Sequence, residues 1–476
     1  MKILFAASEM TPLIKVGGLA DVVGSLPKAL RSRGHDVRVV LPQYGLFDAS
    51  RFPLEKLKQS VKYDYQGDEQ TFDLNQTEYC GVPVYALQNH YYFGYPEIYS
   101  RFDLDHFFFF SRAVFELLPG LDWQPEVVHC HDWHTALLAL WLKKERSPYA
   151  SLFTIHNLGY QGEFNPDFMA AHGLKKYWDS APPALQPLPR NFMAQAVLNA
   201  DLVNTVSETY AREIATPQMG VGLDALLRYR RDNHGLTGIV NGLDSQDWDP
   251  QKDAYLPVNY GPDQLKKRLL NKTALQRVMG LPVDGDLPLV GMVQRLDEQK
   301  GLDILGQAME SILRENGLQF VILGRGRDNY EKLVQDLNRR YPRKVAAVVG
   351  FEEPLAHLIY AGADIFLMPS RFEPCGLGQL IAMRYGALPL VRHTGGLVDS
   401  VPEFDDALSQ GNGFVFHEYT PAALQGGLRR AVAAFKNRPA WQKAMQRVMK
   451  IDYSWQASAE KYEAAYRAAL ENHTRG

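Results

Sequence analysis

Short apolar runs rich in β-branched residues recur along this chain, each followed by a stretch with helical periodicity, and they do so in two separate blocks. No other feature restricts the fold as much. A strand that is apolar on both faces needs cover on both, which parallel sheets flanked by helices provide. In the first block strands are expected at Lys2–Ala7, Val37–Leu41, Val82–Leu87, Val127–His129, Ser151–Ile155 and Leu202–Val206. In the second they are expected at Leu287–Val293, Gln319–Leu323, Val345–Val349, Ile365–Met368 and Leu388–Val391. The pattern predicts an α/β protein of two doubly wound, Rossmann-like domains facing a cleft. The joint falls near Gly238–Asp249, where Ile239-Val240 runs into the turn signal Asn241-Gly242. The expected domains are residues 1–240 and 241–454, followed by a helical tail over 455–476 that ends in a polar stub.

The chain has 476 residues, 46% hydrophobic and 22% charged, with a formal net charge of −3. That balance argues against general nucleic-acid binding and against an anionic membrane surface, both of which need a concentrated positive field. Cys80, Cys130 and Cys375 suggest neither a disulfide framework nor a zinc site, and they fit a reducing compartment. No apolar run approaches the ~20 residues of a membrane span. The expected location is the cytoplasm.

Open α/β sheets bind ligands beyond the carboxyl ends of their strands, so the loops there carry the functional argument. After the first strand comes Lys15-Val16-Gly17-Gly18, opening a helical stretch in which Leu19, Val22, Val23, Leu26 and Leu30 share one face. Glycines at a helix start let a ligand approach the backbone, and free N–H groups with a nearby lysine suit an anion. Pro27 lies inside that stretch, where a kink or break is expected, with Ser25 capping a restarted helix. His131-Asp132-Trp133-His134 follows Val127–His129. Carboxylate and imidazole suit sugar hydroxyls and an indole suits a sugar face, although the same residues also fit a helix N-terminus capped by Asp132. His156-Asn157 follows Ser151–Ile155.

In the second block Arg295 and Lys300 lie on one loop ahead of a helix expected near Gly301, an arrangement that suits a diphosphate. Phe351 follows Val345–Val349 and fits either the flank of a nucleobase or the core. Glu373-Pro374-Cys375-Gly376-Leu377 follows Ile365–Met368, with a helix expected near Gly376. Thr394-Gly395-Gly396 follows Leu388–Val391 and echoes the earlier Gly-Gly turn. A GxGxxG fingerprint is missing after the first strand, which counts against a nicotinamide enzyme.

Taken in order, Lys15-Val-Gly-Gly-Leu-Ala-Asp21, His131-Asp-Trp-His134, His156-Asn157, Asn241-Gly-Leu-Asp244, Arg295 with Lys300-Gly301, Glu373-Pro-Cys-Gly-Leu377 and Thr394-Gly-Gly-Leu397 resemble the ADP-glucose-dependent bacterial glycogen synthase and plant starch synthase family over essentially the whole chain. The resemblance implies the glycosyltransferase B fold, with the tail helix crossing back onto the first domain. It implies retaining transfer of glucose from ADP-glucose to the 4-hydroxyl at the non-reducing end of an α-1,4-glucan. Its partners would be ADP-glucose and glycogen or a related glucan, with no metal or other cofactor. By the same resemblance Glu373, His156, Arg295 and Lys300 are catalytic. Lys15, Gly17, Gly18, Asp21, Tyr95, Asp132, His134, Asn157, Asn241, Phe351, Cys375, Gly376, Leu377, Thr394, Gly395 and Gly396 contact substrates, with Tyr95, Asp132 and His134 on the acceptor side. Retaining enzymes of this fold often carry a second glutamate eight positions after the first, where this chain has Ile381. Phe351 stands where the family often has Tyr. Related hexosyltransferases that use a UDP-sugar, or an inactive glucan-binding protein on the same fold, are the alternatives.

Overall fold

The computed structural model describes residues 1–65, 67–233, 235–315 and 317–475. They form two compact units, one of Met1–Gly242 with the segment from Trp455 onward, the other of Leu243–Ser454.

The first unit holds β1 (Lys2–Ala6), β2 (Asp36–Pro42), β3 (Glu55–Tyr65), β4 (Asp68–Tyr79), β5 (Val82–Gln88), β6 (Val127–His131), β7 (Ala150–Ile155), β8 (Leu202–Thr205) and β9 (Leu236–Gly238). They make one sheet in the order β3-β4-β5-β2-β1-β6-β7-β8-β9. All pairings are parallel except β3–β4 and β4–β5. The chain winds outward from β1 in one direction through β2 and in the other from β6. The switch point therefore lies between β1 and β6, where ligands of such sheets gather. The hairpin β3–β4 is absent from the apolar-run expectation. Its outer strand carries Lys56, Lys58 and Lys62 and is mostly exposed, and charge on an edge strand protects it from pairing with another chain.

The helix Gly18–Ser32 buries Leu19, Val22, Val23, Leu26 and Leu30, the face its periodicity predicts. It runs through Pro27 without a break, and Ser25 sits inside it rather than capping a second helix. Burial of the residues on both sides of Pro27 offsets the lost hydrogen bond, a local cost of about 3 kcal/mol. The helix Trp455–Arg475 continues through the polar end expected to be a stub. It buries Tyr462, Ala465, Tyr466 and Ala469 against Ile3, Phe5, Val22 and Val23 of the same unit. Arg33 and His35 both reach Glu463 on it, at 2.6 and 3.0 Å. The opposite face of the sheet is covered by the helix Asp103–Leu117, whose run His106–Phe110 is buried.

The second unit holds β10 (Leu289–Val293), β11 (Gln319–Gly324), β12 (Val345–Val349), β13 (Ile365–Met368), β14 (Leu388–Arg392) and β15 (Phe414–Phe416). All are parallel, in the order β12-β11-β10-β13-β14-β15. The switch point here lies between β10 and β13. Among the described residues no helix is long and apolar enough to cross a membrane.

Candidate functional site

In the first unit the loops after β1, β6 and β7 meet at the switch point. The loop after β1 is anchored by Glu9, a buried residue that motif reasoning passed over. Its Oε2 accepts the N–H groups of Val16 and Gly17 at 2.6 and 2.8 Å, while Tyr99 donates its hydroxyl to Oε1. Two of the amides expected to be open to an external anion are thus held by the chain's own carboxylate. The signal for Glu9 was its place, an acid in an otherwise buried stretch that runs on from the strand through Met10. Lys15 is half exposed and its Nζ lies 2.6 Å from Asp21 Oδ1. Burial raises the Asp21 carboxyl above the ordinary aspartate range, with Lys15 opposing. Gly17 has an extended backbone, φ −139°, and a Cβ on either Gly17 or Gly18 would meet no atom within 4 Å. Neither glycine is required by the fold, and the space above them is open.

Asp132 directly follows β6 at φ 54°, an uncommon conformation for a residue with a side chain. Its carboxylate makes no capping bond to the turn that follows. Instead Oδ1 accepts the backbone N–H of His156 at 2.7 Å and of Asn157 at 3.4 Å. The capping alternative is therefore replaced by a clamp between the loops after β6 and β7. Burial pushes the Asp132 carboxyl up to about 7, against the pull of those two amides. His131 Nδ1 lies 2.9 Å from His156 Nε2. His134 stacks on Tyr99 with ring centroids 5.2 Å apart, and burial lowers both His134 and His156 to about 3. Trp133 does not offer its face to a sugar. It is buried against Phe107, and Gly162 (φ +66°) exists to let it in, since a Cβ there would lie 2.4 Å from the indole. Asn157 accepts Gly159 N–H at 2.9 Å. Asn241 is buried, with its Oδ1 unpaired among the described residues. Tyr95 is exposed and stacks on His106, with centroids 6.2 Å apart.

In the second unit the loops after β10, β13 and β14 converge. Lys300 Nζ lies 2.7 Å from Glu373 Oε2, which also accepts the Ser370 hydroxyl at 2.9 Å. Both members of this ion pair are largely buried. Arg295 is exposed, held loosely by Gln299 at 3.2 Å and Asp297 at 3.6 Å. Gly301 closes the loop at φ +74°, where a Cβ would sit 2.0 Å from Pro369 O, so the β10 and β13 loops touch backbone to backbone. The helix after it begins at Leu302. The helix after Glu373 begins at Gly378, two positions beyond the expected start, because Gly376 (φ +77°) is still in the turn. Cys375 is buried and Leu377 half-buried.

The Thr394-Gly395-Gly396 turn does not echo the Lys15 loop. A Cβ on Gly395 would lie 1.9 Å from Glu373 O, and one on Gly396 2.3 Å from Cys375 O. Gly396 N–H donates to Glu373 O at 3.0 Å. These glycines bring two loops together and fix where Glu373 stands. Phe351, after β12, is exposed, which removes its reading as a core residue.

Two sheets of this kind, each with a polar loop cluster at its switch point and a fixed lysine–glutamate pair in the second, define a glycosyltransferase of the two-domain B class. Residues 2–229 match the family described as starch synthase catalytic domain, and residues 280–448 match glycosyl transferases group 1. The glycogen synthase of Geotalea uraniireducens is 45% identical, covering 99% of both chains, and that of Moorella thermoacetica 44%, covering 99% of this chain and 97% of the relative. The catalytic domain of starch synthase IV from Arabidopsis thaliana, bound to ADP and acarbose, superposes with a TM-score of 0.90 at 33% identity, covering 98% of this chain and 99% of that one. The chain belongs to the glycogen synthase and starch synthase family.

Proposed function

We propose that this protein lengthens α-1,4-glucans, transferring glucose from ADP-glucose to the non-reducing-end 4-hydroxyl of glycogen or a related glucan with retention of configuration. The observation that carries the reading is the Lys300–Glu373 pair, because binding alone has no need of a buried cation held ready beside an acid. When the glycosyl–phosphate bond breaks, negative charge grows on the departing diphosphate. Lys300 and Arg295 oppose that charge, and each well-placed group supplies roughly 3–4 kcal/mol of transition-state stabilisation. Lys15 contacts the donor diphosphate and sugar, which the open space over Gly17 and Gly18 lets come close, with Asp21 orienting Lys15. Glu373 holds glucosyl hydroxyls, Cys375, Gly376 and Leu377 line the donor position, and Thr394, Gly395 and Gly396 support them. Phe351 flanks the base.

Double displacement would require a carboxylate nucleophile under the ring with a second acid near by. Glu373 is tied to Lys300 and Ser370, and its would-be partner position is Ile381. The transfer therefore goes by front-face substitution, in which the leaving phosphate takes the acceptor proton. The backbone carbonyl of His156 stabilises the cationic anomeric carbon, the His156 side chain and Asn157 contact the transferred sugar, and Asp132, His134 and Tyr95 serve the acceptor. Asn241 orders the segment ahead of the second unit. No metal takes part.

Radiolabelled glucose should enter glycogen from ADP-glucose in preference to UDP-glucose, with the rate unchanged by EDTA. Preference for UDP-glucose, or binding to glycogen without incorporation, would refute the assignment. Gly17→Ala separates site from scaffold. Its backbone and surroundings accept a methyl group, so the melting temperature should stay within about 2 °C of the parent. The KM for ADP-glucose should rise about tenfold, the equivalent of ~1.4 kcal/mol. An unchanged KM would remove this loop from the donor site.

A further inference from the structure

Two histidines lie two positions apart on β6, His129 and His131, and both side chains are fully buried. Their rings are in contact, with centroids 4.0 Å apart, and Phe5 packs on both. The hydrogen bonds of each ring fix which nitrogen carries its proton.

For His129 the direction follows from Thr154. The Thr154 hydroxyl has one hydrogen and donates it to Asn204 Oδ1 at 2.5 Å. Its contact with His129 Nε2, at 2.6 Å, can then only be one that it accepts. His129 is protonated on Nε2, and its bare Nδ1 accepts the hydroxyl of Tyr466 on the tail helix at 2.9 Å.

For His131 the direction is the opposite. Its Nδ1 lies 2.9 Å from His156 Nε2, so one proton is shared between those two atoms. Burial lowers the pKa of both rings, which leaves each with a single N–H. His131 Nε2 is buried and has no hydrogen-bonding partner among the described residues. A proton there would be an orphaned buried N–H, a rarer and worse arrangement than a bare acceptor nitrogen. The proton therefore sits on His131 Nδ1 and is donated to His156 Nε2. His156, with Nε2 occupied as an acceptor, keeps its own proton on Nδ1. That atom has no hydrogen-bond partner among the described residues, on a ring only partly buried at the end of β7.

We propose that His131 is a positioning residue that fixes His156 as the Nδ1–H tautomer, so that the His156 side chain meets the transferred sugar as a hydrogen-bond donor and not as an acceptor. The kinetic half rests on the reading of His156 as a sugar-contacting residue; the tautomer half does not. A neutral imidazole presents one donor and one acceptor, and the bond made by the far nitrogen selects which is which. His131 sets that choice from the neighbouring strand. Asp132, next in the chain, clamps the His156 backbone, so consecutive residues fix the ring and the main chain of the same loop.

The test is a long-range ¹H–¹⁵N correlation spectrum of the wild-type protein labelled on imidazole nitrogens, assigned with His131→Asn and His156→Asn. His131 and His156 should show the Nδ1–H pattern and His129 the Nε2–H pattern. A His156 protonated on Nε2 overturns the proposal whatever the activity. In kinetics, His131→Asn keeps a donor at the Nδ1 position and should hold kcat/KM for ADP-glucose within threefold. His131→Leu removes the donor and should lower kcat/KM at least tenfold, with Nε2–H His156 appearing in its spectrum. Equal loss in both variants, with the His156 tautomer unchanged, would make His131 a packing residue only and overturn the proposal. If His156→Ala leaves the donor kinetics untouched, the sugar-contact reading falls while the tautomer assignment stands on its spectrum.

Discussion

Acidified from pH 7 towards pH 4, the first unit should unfold well before the second. Four imidazoles in and just after its central strands, the buried His129, His131 and His134 and the partly buried His156, are neutral, with desolvation lowering His134 and His156 to about 3 and the other two well below the ordinary range. In the unfolded chain they titrate near 6.5. A group depressed in the folded state contributes stability above its unfolded pKa and loses it as pH falls. Each imidazole then destabilises the fold by about 1.4 kcal/mol per pH unit once the pH is well below 6.5. Asp132 works against this. Burial raises its carboxyl to about 7, so between the unfolded aspartate range and pH 7 the folded state holds a proton that the unfolded state lacks. For these five groups the net near pH 5 is a loss of roughly 4 kcal/mol per pH unit, set against a domain stability of about 5–15 kcal/mol. The first unit should therefore lose its tertiary structure between about pH 5.5 and pH 4. The second unit carries three histidines, of which burial lowers His393, while the buried His357 faces the Asp253 carboxylate at 2.7 Å. Hydrogen exchange followed by mass spectrometry across the titration would separate the units. Simultaneous unfolding of both with a one-proton slope would contradict the account.

Most strands that could be read from sequence are long apolar runs; β12 was among them although its last three residues are partly buried, while the buried β15, only three residues long, was not. Apolar runs such as Val127–His129 and Ile365–Met368 mark central parallel strands, and the polar residues directly after them fall at the two switch points. What stayed hidden has particular causes. The hairpin β3–β4 is polar along its outer strand, because it faces water, so it left no apolar run to count. Glu9 belongs to no motif. Its role appears only when Tyr99, some 90 positions away in sequence, closes on it. Asp132 has the spacing of a cap yet bonds across to the next loop, a pairing set by the β6–β7 register. The two Gly-Gly turns look alike in sequence and differ in cause. At Gly17 and Gly18 there is open space over the backbone, whereas at Gly395 and Gly396 the backbone of the Glu373 loop fills it. Sequence gives the residue type, and only the surrounding atoms say what the missing Cβ makes room for.

Lys300→Gln should uncouple catalysis from stability at the other switch point. The substitution keeps a hydrogen-bonding end, on a side chain one atom shorter, but removes the cation 2.7 Å from Glu373. If Lys300 acts on the departing phosphate, kcat should fall about 10²–10³-fold, the range for loss of one group aimed at developing charge. The same change leaves a buried carboxylate with Ser370 as its remaining side-chain donor. Breaking one side of a buried pair typically costs about 3–5 kcal/mol, and the residual exposure of Lys300 argues for the lower end. Adding Glu373→Gln removes the orphaned charge, since two facing amides can bond to one another. The double variant should regain most of the lost stability in urea unfolding, while kcat stays as low as in Lys300→Gln or falls further. If stability and kcat recover together, the lysine serves the fold alone. If Lys300→Gln keeps a wild-type kcat, the pair is scaffold, and the phosphate is met by Arg295 without it.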